Sequence, residues 1–484
     1  VINLKTVDVI SKIEEIIEAK RDTFIQISDR IWDYAETRFE EYQSAELLSQ
    51  ALEQEGFSVE REVGGIKTAF IGTYGSGKPV IGILGEYDAL SGLSQQKNSS
   101  KKEPLQERGN GHGCGHNLFG TSVLAAVVAV KEYMEEHNLT GTIRYYGCPG
   151  EEGGSGKTFM VREGLFDDVD CSLTWHPGSF TGMFSATTLA NYQIFFKFKG
   201  IASHAAASPH LGRSALDAVE LMNVGVNYLR EHIIPEARIH YSIVNGGGLS
   251  PNVVQPEAEV LYLIRAPQME DVKEIYERVY KIARGAALMT ETEVEVEFDK
   301  ACSNYIPNNV IGTVMHQNLQ RFSLPQYDSS EKAFAAEMMQ QITAADIKST
   351  VAEVKRQYGV SVSKDIRETI FLNQVLPYKE TNEILFGSTD VGDVSWITPT
   401  AQFWGPCFVF ATPAHSWQLV SQGATSIAHK GMLHAGKVLA GTAIDLFTNP
   451  SLIEQAKAEL VQKTKDVPYE CPIPKGVRPS PIKQ

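Results

Sequence analysis

The chain has 484 residues, 43% hydrophobic and 21% charged, a globular composition long enough for two or more domains. Asp plus Glu number 59 against 44 Lys plus Arg, a net charge of −15; this argues against a nucleic-acid partner but not against an anionic small substrate held by a local arginine. No apolar run approaches the ~20 residues that span a bilayer, and six scattered cysteines make no disulfide framework, so the reading is of a cytoplasmic protein without a membrane partner.

The opening VINLKTVDVISKIEEIIEAKRD is an amphipathic charged pattern rather than a signal peptide, and apolar spacing predicts helices through residues 7–55. AFIGTYG and KPVIGILGEYDAL follow as strands, the second almost continuously apolar, as suits a strand buried on both faces. Residues 93–111 are polar and loop-like, and HGCGHN then leads into the helix LFGTSVLAAVVAVKEYMEEH. The strand TIRYYG runs into CPGEEGGSGKT, and CSLTWH is a further strand. This alternation predicts an α/β fold, a mixed sheet flanked by helices. From residue 188 the order becomes strand, helix, two strands, helix, strand, from NYQIFFKFKG to TEVEVEFDKA. It predicts an inserted ferredoxin-like domain over 188–307, between catalytic segments 1–187 and 308–484. Residues 312–384 carry no legible chemistry, and the proline-rich tail VPYECPIPKGVRPSPIKQ reads as extended over the surface.

CPGEEGGSGKT falls just short of a phosphate loop. Counting back five from Gly156 reaches Glu151 where a glycine is needed, and two carboxylates would repel a phosphate. A nucleotide-binding module is therefore the weaker reading, and Lys157 is taken as an ordinary residue of the next helix. Adjacent residues in extended structure point opposite ways, so of Glu151 and Glu152 one can hold a metal while the other faces the reacting water. The alternative is a solvated acidic turn. HGCGHN sets His112, Cys114 and His116 at alternate positions, with glycines that let the side chains converge and a helix start that favours thiolate. A Gly-rich turn with a buried cysteine competes with that reading. His176 ends an apolar strand, and His415, in FVFATPAHSW, follows an apolar strand-like run; ligands at neighbouring strand ends converge on one sheet edge. Cys114, His116, Glu152, His176 and His415 are too many donors for one four-coordinate ion with an open position, and enough for two ions if one donor bridges. Thiolate and imidazole suit Zn, while carboxylates also suit Mn. His137, His232, His240 and His316 need no function, and His210, His429 and His434 read as packing or capping groups.

GEYDAL, HGCGHN, PGEEGG, WHPG, GIASHAAASPH, GGGLSPNVV, YLIRA and AHSWQL, in this order, resemble the co-catalytic metallopeptidase and aminoacylase family. The match is to its amidohydrolase branch, in which a cysteine replaces the usual bridging aspartate, and it spans nearly the whole chain. The resemblance implies a metal-dependent hydrolase of an N-acyl or N-aroyl amino acid such as p-aminobenzoyl-glutamate. It leaves open a dipeptidase or carboxypeptidase on the same scaffold, or a poorly active partner subunit of a hetero-oligomer. It implies two divalent ions, Zn or Mn, on Cys114, His116, Glu152, His176 and His415, with Cys114 bridging. Glu151 would be general base and proton shuttle, and Asp88 would orient a ligand. His204 would polarise the scissile carbonyl in a neighbouring subunit's site. Asn252 and Arg265 would contact the substrate carboxylate, and Gly387, Ser388 and Thr389 would line the pocket. The inserted domain would act as lid and dimerisation element, in a homodimer or a heterodimer with a related subunit. Two departures stand out: Glu86 occupies the place of a histidine ligand in the wider family, and Asn117 that of an aspartate in many members of the branch.

Overall fold

The computed structural model describes residues 4–361 and 370–482. After helices Leu4–Ala19, Arg21–Tyr34 and Tyr42–Gln54 come the strands β1 (Ser58–Arg61), β2 (Phe70–Ser76), β3 (Val80–Gly85), β4 (Gly141–Gly147) and β5 (Cys171–Leu173). Short strands β6 (His176–Gly178), β7 (Gly182–Met183) and β8 (Thr187–Thr188) lead to β9 (Ala190–Lys199), β10 (Arg238–Asn245), β11 (Glu257–Ala266) and β12 (Glu293–Cys302). The last three are β13 (Ile384–Leu385), β14 (Thr400–Ala401) and β15 (Phe403–Pro406).

The main sheet has the order β1-β2-β4-β3-β5-β14 and is mixed. β4, β3, β5 and β14 run parallel, while β2 is antiparallel to β1 and β4. β3, VIGILG, is buried at every residue, which is why its sequence is one apolar run. Helices His116–His137 and Ser426–Thr448 pack on each other in the core, with Leu4–Ala19 against both. His116–His137 is buried along most of its length, so it is apolar nearly all round rather than striped.

A second sheet, β10-β11-β9-β12, is antiparallel throughout, and helices Ala215–Leu229 and Met269–Thr290 pack on it. Alternate residues of β11 are buried on the helix side, where the Tyr262 hydroxyl donates to Asn223 Oδ1 at 2.6 Å. The opposite face turns towards the main sheet. Gln193 of β9 reaches the Gly153 carbonyl there at 3.4 Å. Asp299, where the pairing of β12 shifts between Phe298 and Lys300, binds Arg38 through both oxygens at 3.1 Å.

Two expectations about strands need correction. CSLTWH is not one strand: β5 stops at Leu173, and β6 starts at His176 in a separate sheet, β6-β15-β7. FVFA is not strand-like, because β15 ends at Pro406 and residues 408–411 bend and turn. Phe408, Val409 and Phe410 are apolar because they are buried, not because they pair. The stretch 312–384 contains helices Ala344–Tyr358 and Ser329–Met339 and most of Asn309–Arg321, with 362–369 outside the described residues. Beyond Thr464 the chain runs without helix or strand to Ile482, anchored by buried Ile473 and by Arg162 on the Pro474 and Val477 carbonyls.

Candidate active site

Three parallel strands deliver acidic and imidazole groups to one edge of the main sheet. β3 ends at Gly85, just before Glu86 and Asp88; β4 leads to Glu151 and Glu152; β5 leads to His176. Cys114 and His116 come from the turn that starts helix His116–His137. His415 sits in the left-handed region at φ 54° and donates its backbone N–H to the Gly113 carbonyl at 2.8 Å, which lays its loop along that turn.

The donors fall into overlapping groups. Cys114, His116 and His176 have ligand atoms within 4.8 Å of one another, and so do Cys114, Glu152 and His415; the thiol is common to both. Glu86, His116 and Glu151 make a third group. Cys114 Sγ lies 3.4 Å from His176 Nε2, and His415 Nε2 lies 3.2 Å from Glu152 Oε1. His116 donates through Nδ1 to Asp88 Oδ1 at 2.9 Å, which points Nε2 into the cluster. Asp88 Oδ2 accepts the Glu152 backbone N–H at 2.7 Å, so one carboxylate orients two donors. The remaining nitrogen of His176 donates to the Pro177 carbonyl at 2.8 Å.

The two glutamates diverge, but not by strand alternation. They sit in a single turn with Gly150 at φ 66°, Glu152 at φ −68° and ψ 81°, and Gly153 at φ 75°. Gly150 donates its N–H to buried Glu41 Oε1 at 2.8 Å, and the other oxygen of Glu41 accepts from Thr68 Oγ1 at 2.8 Å. At Gly156 a Cβ would land on the Pro149 carbonyl oxygen, so the turn admits only glycine there. No sequence pattern marks Glu41 as a buried brace.

Lys157 also differs from its sequence reading. It does start a helix, Gly156–Arg162, but its side chain is fully buried. Nζ lies 2.6 Å from Glu86 Oε1 and 2.7 Å from Asp390 Oδ1, and its N–H donates to Asp390 Oδ2 at 2.8 Å. The lysine neutralises two carboxylates rather than a phosphate, as a buried charge requires. Asp390 belongs to FGSTDVGD, and nothing local in that motif reveals the pairing.

The field separates the adjacent carboxyls. Burial, together with Glu86, Glu152 and Asp390, pushes Glu151 well above the usual carboxylate range. Burial opposes ionisation of Glu152 too, but the imidazoles of His415 and His116 outweigh it and hold that carboxyl at about 2. Burial and Glu152 raise the Cys114 thiol, yet His176 and His116 prevail and bring it to about 5. Beside Cys114 and Glu152, His415 rises to about 11. Two neighbouring acids with opposed shifts suit divided roles.

A cavity of about 380 Å³ opens over Cys114, Glu151, Glu152, His176 and His415. Gly387, Ser388 and Thr389 line one wall, and Phe184, Phe386 and Trp404 supply aromatic surface. Phe184 and Trp404 stack with centroids 5.1 Å apart, and Trp404 Nε1 and Ser388 Oγ are buried without hydrogen-bond partners among the described residues. Arg265 lies on β11 and is not among the residues that line this cavity, although the charge of Glu151 acts on it. His204 and Asn252 do not line this cavity. Both are exposed, His204 pairing with Val253 and the Asn252 carbonyl accepting from Ala205 at 2.9 Å. His112 turns away, its Nε2 on the Ile31 carbonyl at 2.9 Å, and burial lowers it to about 4. Asn117 donates to Ser28 Oγ and the Gly423 carbonyl and only braces packing. His429 pairs with Asp29 at 2.7 Å, and His434 is buried in the core.

A model of the peptidase family M20/M25/M40 matches residues 82–419. The B subunit of the p-aminobenzoyl-glutamate hydrolase of Escherichia coli (strain K12) is 57% identical over 474 residues, 97% of this chain and 98% of that one. A dinuclear metal binding peptidase from the M20 family of Bacillus subtilis superposes with a TM-score of 0.54 at 16% identity, covering 89% of this chain and 99% of that one. An aminobenzoyl-glutamate utilization protein from Klebsiella pneumoniae gives a TM-score of 0.51 at 19% identity, covering 68% and 91%. At these identities the two structures speak to the fold.

Proposed function

The chain belongs to peptidase family M20/M25/M40 and hydrolyses amide bonds, and we propose that its substrate is an N-aroyl amino acid of the p-aminobenzoyl-glutamate type. The observation that carries this reading is the pair of donor groups sharing Cys114 beside a Glu151 whose carboxyl is raised.

The donor set fits two divalent ions, Zn or Mn, which Cys114, His116, Glu152, His176 and His415 would hold, Cys114 belonging to both donor groups. His116 Nε2 lies 3.2 Å from Glu86 Oε2 and Glu152 Oε1 lies 3.2 Å from His415 Nε2, yet neither buried atom makes a well-formed hydrogen bond among the described residues, as donor atoms facing a shared ion would not. When bound, such ions polarise the amide carbonyl and acidify water. Asp88 keeps His116 and Glu152 in register for that task. Glu151 takes the proton of the attacking water and returns it to the leaving amine, a task suited to a carboxyl tuned upward. Trp404 and Phe184 offer a stacked surface to the aroyl ring, in the cavity that Gly387, Ser388 and Thr389 also line.

We assign residues 1–187 and 308–484 to a catalytic domain and 188–307 to an inserted ferredoxin-like lid. Arg265 and Asn252 contact the substrate carboxylate. His204 and Asn252 sit outside their own chain's cavity, so their role requires a neighbouring subunit, either a second copy or a related chain. The Escherichia coli relative is by name one subunit of a hydrolase, which supports the heteromeric form. Exposed Tyr241, Ile243 and Val244 on edge strand β10, with exposed Leu221, Val224 and Tyr228 on helix Ala215–Leu229, offer the apolar contact face. No helix among the described residues is long and apolar enough to cross a membrane, and the cysteines are free, in keeping with a cytoplasmic setting.

The test is a substrate panel on protein loaded with Zn or Mn. Release of p-aminobenzoate from p-aminobenzoyl-glutamate should exceed turnover of any dipeptide by about tenfold or more, the scale of one well-made pocket contact. Preferred cleavage of dipeptides would make the chain a dipeptidase on the same scaffold.

A further inference from the structure

The face of the four-stranded sheet that turns to the main sheet carries two cations, Lys300 and Arg265, that form no ion pair among the described residues. In β12, Lys300 stands directly opposite Gln193, and in β11, Arg265 stands opposite Asn191, two residues earlier on the same strand. Directly paired residues share a face, and so do residues two apart. Gln193 reaches the Gly153 carbonyl beside Glu152, so Lys300 and Arg265 lie on the face turned to the glutamates. Both side chains feel the charge of Glu151.

Lys300 is only 7% exposed. Its neighbour Asp299 would be the natural counter-ion, but Asp299 is engaged by Arg38 through both oxygens and by Gln193 at 2.7 Å. Among the described residues Lys300 has no ion pair. Arg265 has none either, and its Nε is buried without a hydrogen bond. Burial disfavours the charged form of Lys300, and the positive charge of Arg265 nearby adds to that cost. An anion seated between them would relieve both.

We propose that Lys300 and Arg265 together receive a dicarboxylic leaving amino acid, Arg265 holding the α-carboxylate and Lys300 the side-chain carboxylate. This rests on the amide-hydrolase reading above and adds selectivity for an acidic side chain. Every amino acid product carries an α-carboxylate, so one arginine suffices for the general reaction; the second cation is what a glutamate-like substrate uses. Two strand spacings and two residues of rise put the two Cα atoms about 12 Å apart. Two long side chains close that gap from either side onto one small dianion.

The experiment compares p-aminobenzoyl-glutamate with p-aminobenzoyl-glutamine on metal-loaded wild type, Lys300→Met and Arg265→Met. Wild type should favour glutamate by about tenfold or more in kcat/KM, the scale of a charge-assisted hydrogen bond. Lys300→Met should collapse that ratio towards unity, chiefly through KM for glutamate, and Lys300→Arg should restore most of it. Arg265→Met should weaken both substrates together. Calorimetric binding of L-glutamate and L-glutamine to wild type gives a readout that needs neither a variant nor turnover, and glutamate should bind about tenfold tighter. An unchanged ratio in Lys300→Met, an equal fall on both substrates, or equal binding of the two amino acids overturns the proposal. Hydrolysis without a glutamate preference sinks the dianion receptor and leaves the aroyl-amidase reading standing. Glutamate-selective binding through Lys300 without hydrolysis does the reverse.

Discussion

Cys114 is where the two donor groups meet, so its protonation governs whether both can close on a cation. Its thiol sits at about 5 because His176 and His116 outweigh burial and Glu152, whereas burial raises Cys302 to about 12 and Cys471 to about 11 and lifts Cys148, Cys171 and Cys407 as well. Thiolate is the reactive form, and its share falls only as pH drops through about 5. In metal-free protein at pH 6.5, iodoacetamide should therefore label Cys114 first, faster than the other cysteines by roughly a hundredfold or more. Zn should protect it, and the rate should decline below pH 5. Slow, uniform labelling that speeds up only near pH 9 would show an ordinary thiol. The motif HGCGHN was legible because glycines on both sides of Cys114 leave few structural uses for it. Glu41 was not legible: a glutamate in an acidic stretch looks solvated until the fold seals it against Gly150.

At the scale of elements, strand ends place the chemistry. β3, β4 and β5 were readable as strands because each is buried, and their parallel order puts Asp88, Glu151, Glu152 and His176 on one edge. CSLTWH and FVFA resemble continuous strands in sequence because buried apolar residues look alike whether or not they pair with a neighbouring strand. The pairing of Lys157 with Asp390 was invisible for a related reason, since it spans 233 residues and leaves no local periodicity. Lys157 thereby ties helix Gly156–Arg162, after β4, both to Asp390 and to Glu86 just after β3. Lys157→Met removes the positive charge between two buried carboxylates and should destabilise the protein by about 3–5 kcal/mol in urea unfolding. Adding Asp390→Asn should recover part of the loss. A Lys157→Met protein as stable as wild type would mean that Glu86 and Asp390 are held by other means.

At the scale of the molecule, the donors run from residue 114 to residue 415, and only the folded main sheet brings them together. The four-stranded sheet of residues 190–302 carries Arg265 and Lys300 on the face whose Gln193 reaches the Gly153 carbonyl, while Gly387, Ser388 and Thr389 line the cavity over the donors. The spread explains how much of the site could be read from one chain. Each donor carried a local mark, but the turn that aims Glu151 and Glu152 apart depends on Asp88 and Glu41, two distant segments, as well as on Gly156 in its own stretch. Metal content and p-aminobenzoyl-glutamate hydrolysis, measured on the same preparations of wild type, Glu151→Ala and Glu152→Ala, probe this assembly most directly. A two-ion centre with Glu151 as proton carrier predicts two ions per chain in wild type and in Glu151→Ala, a fall of about 10²–10⁴ in kcat for Glu151→Ala, and loss of metal in Glu152→Ala. A fully active Glu151→Ala enzyme, or a Glu152→Ala enzyme that keeps both ions, would contradict it.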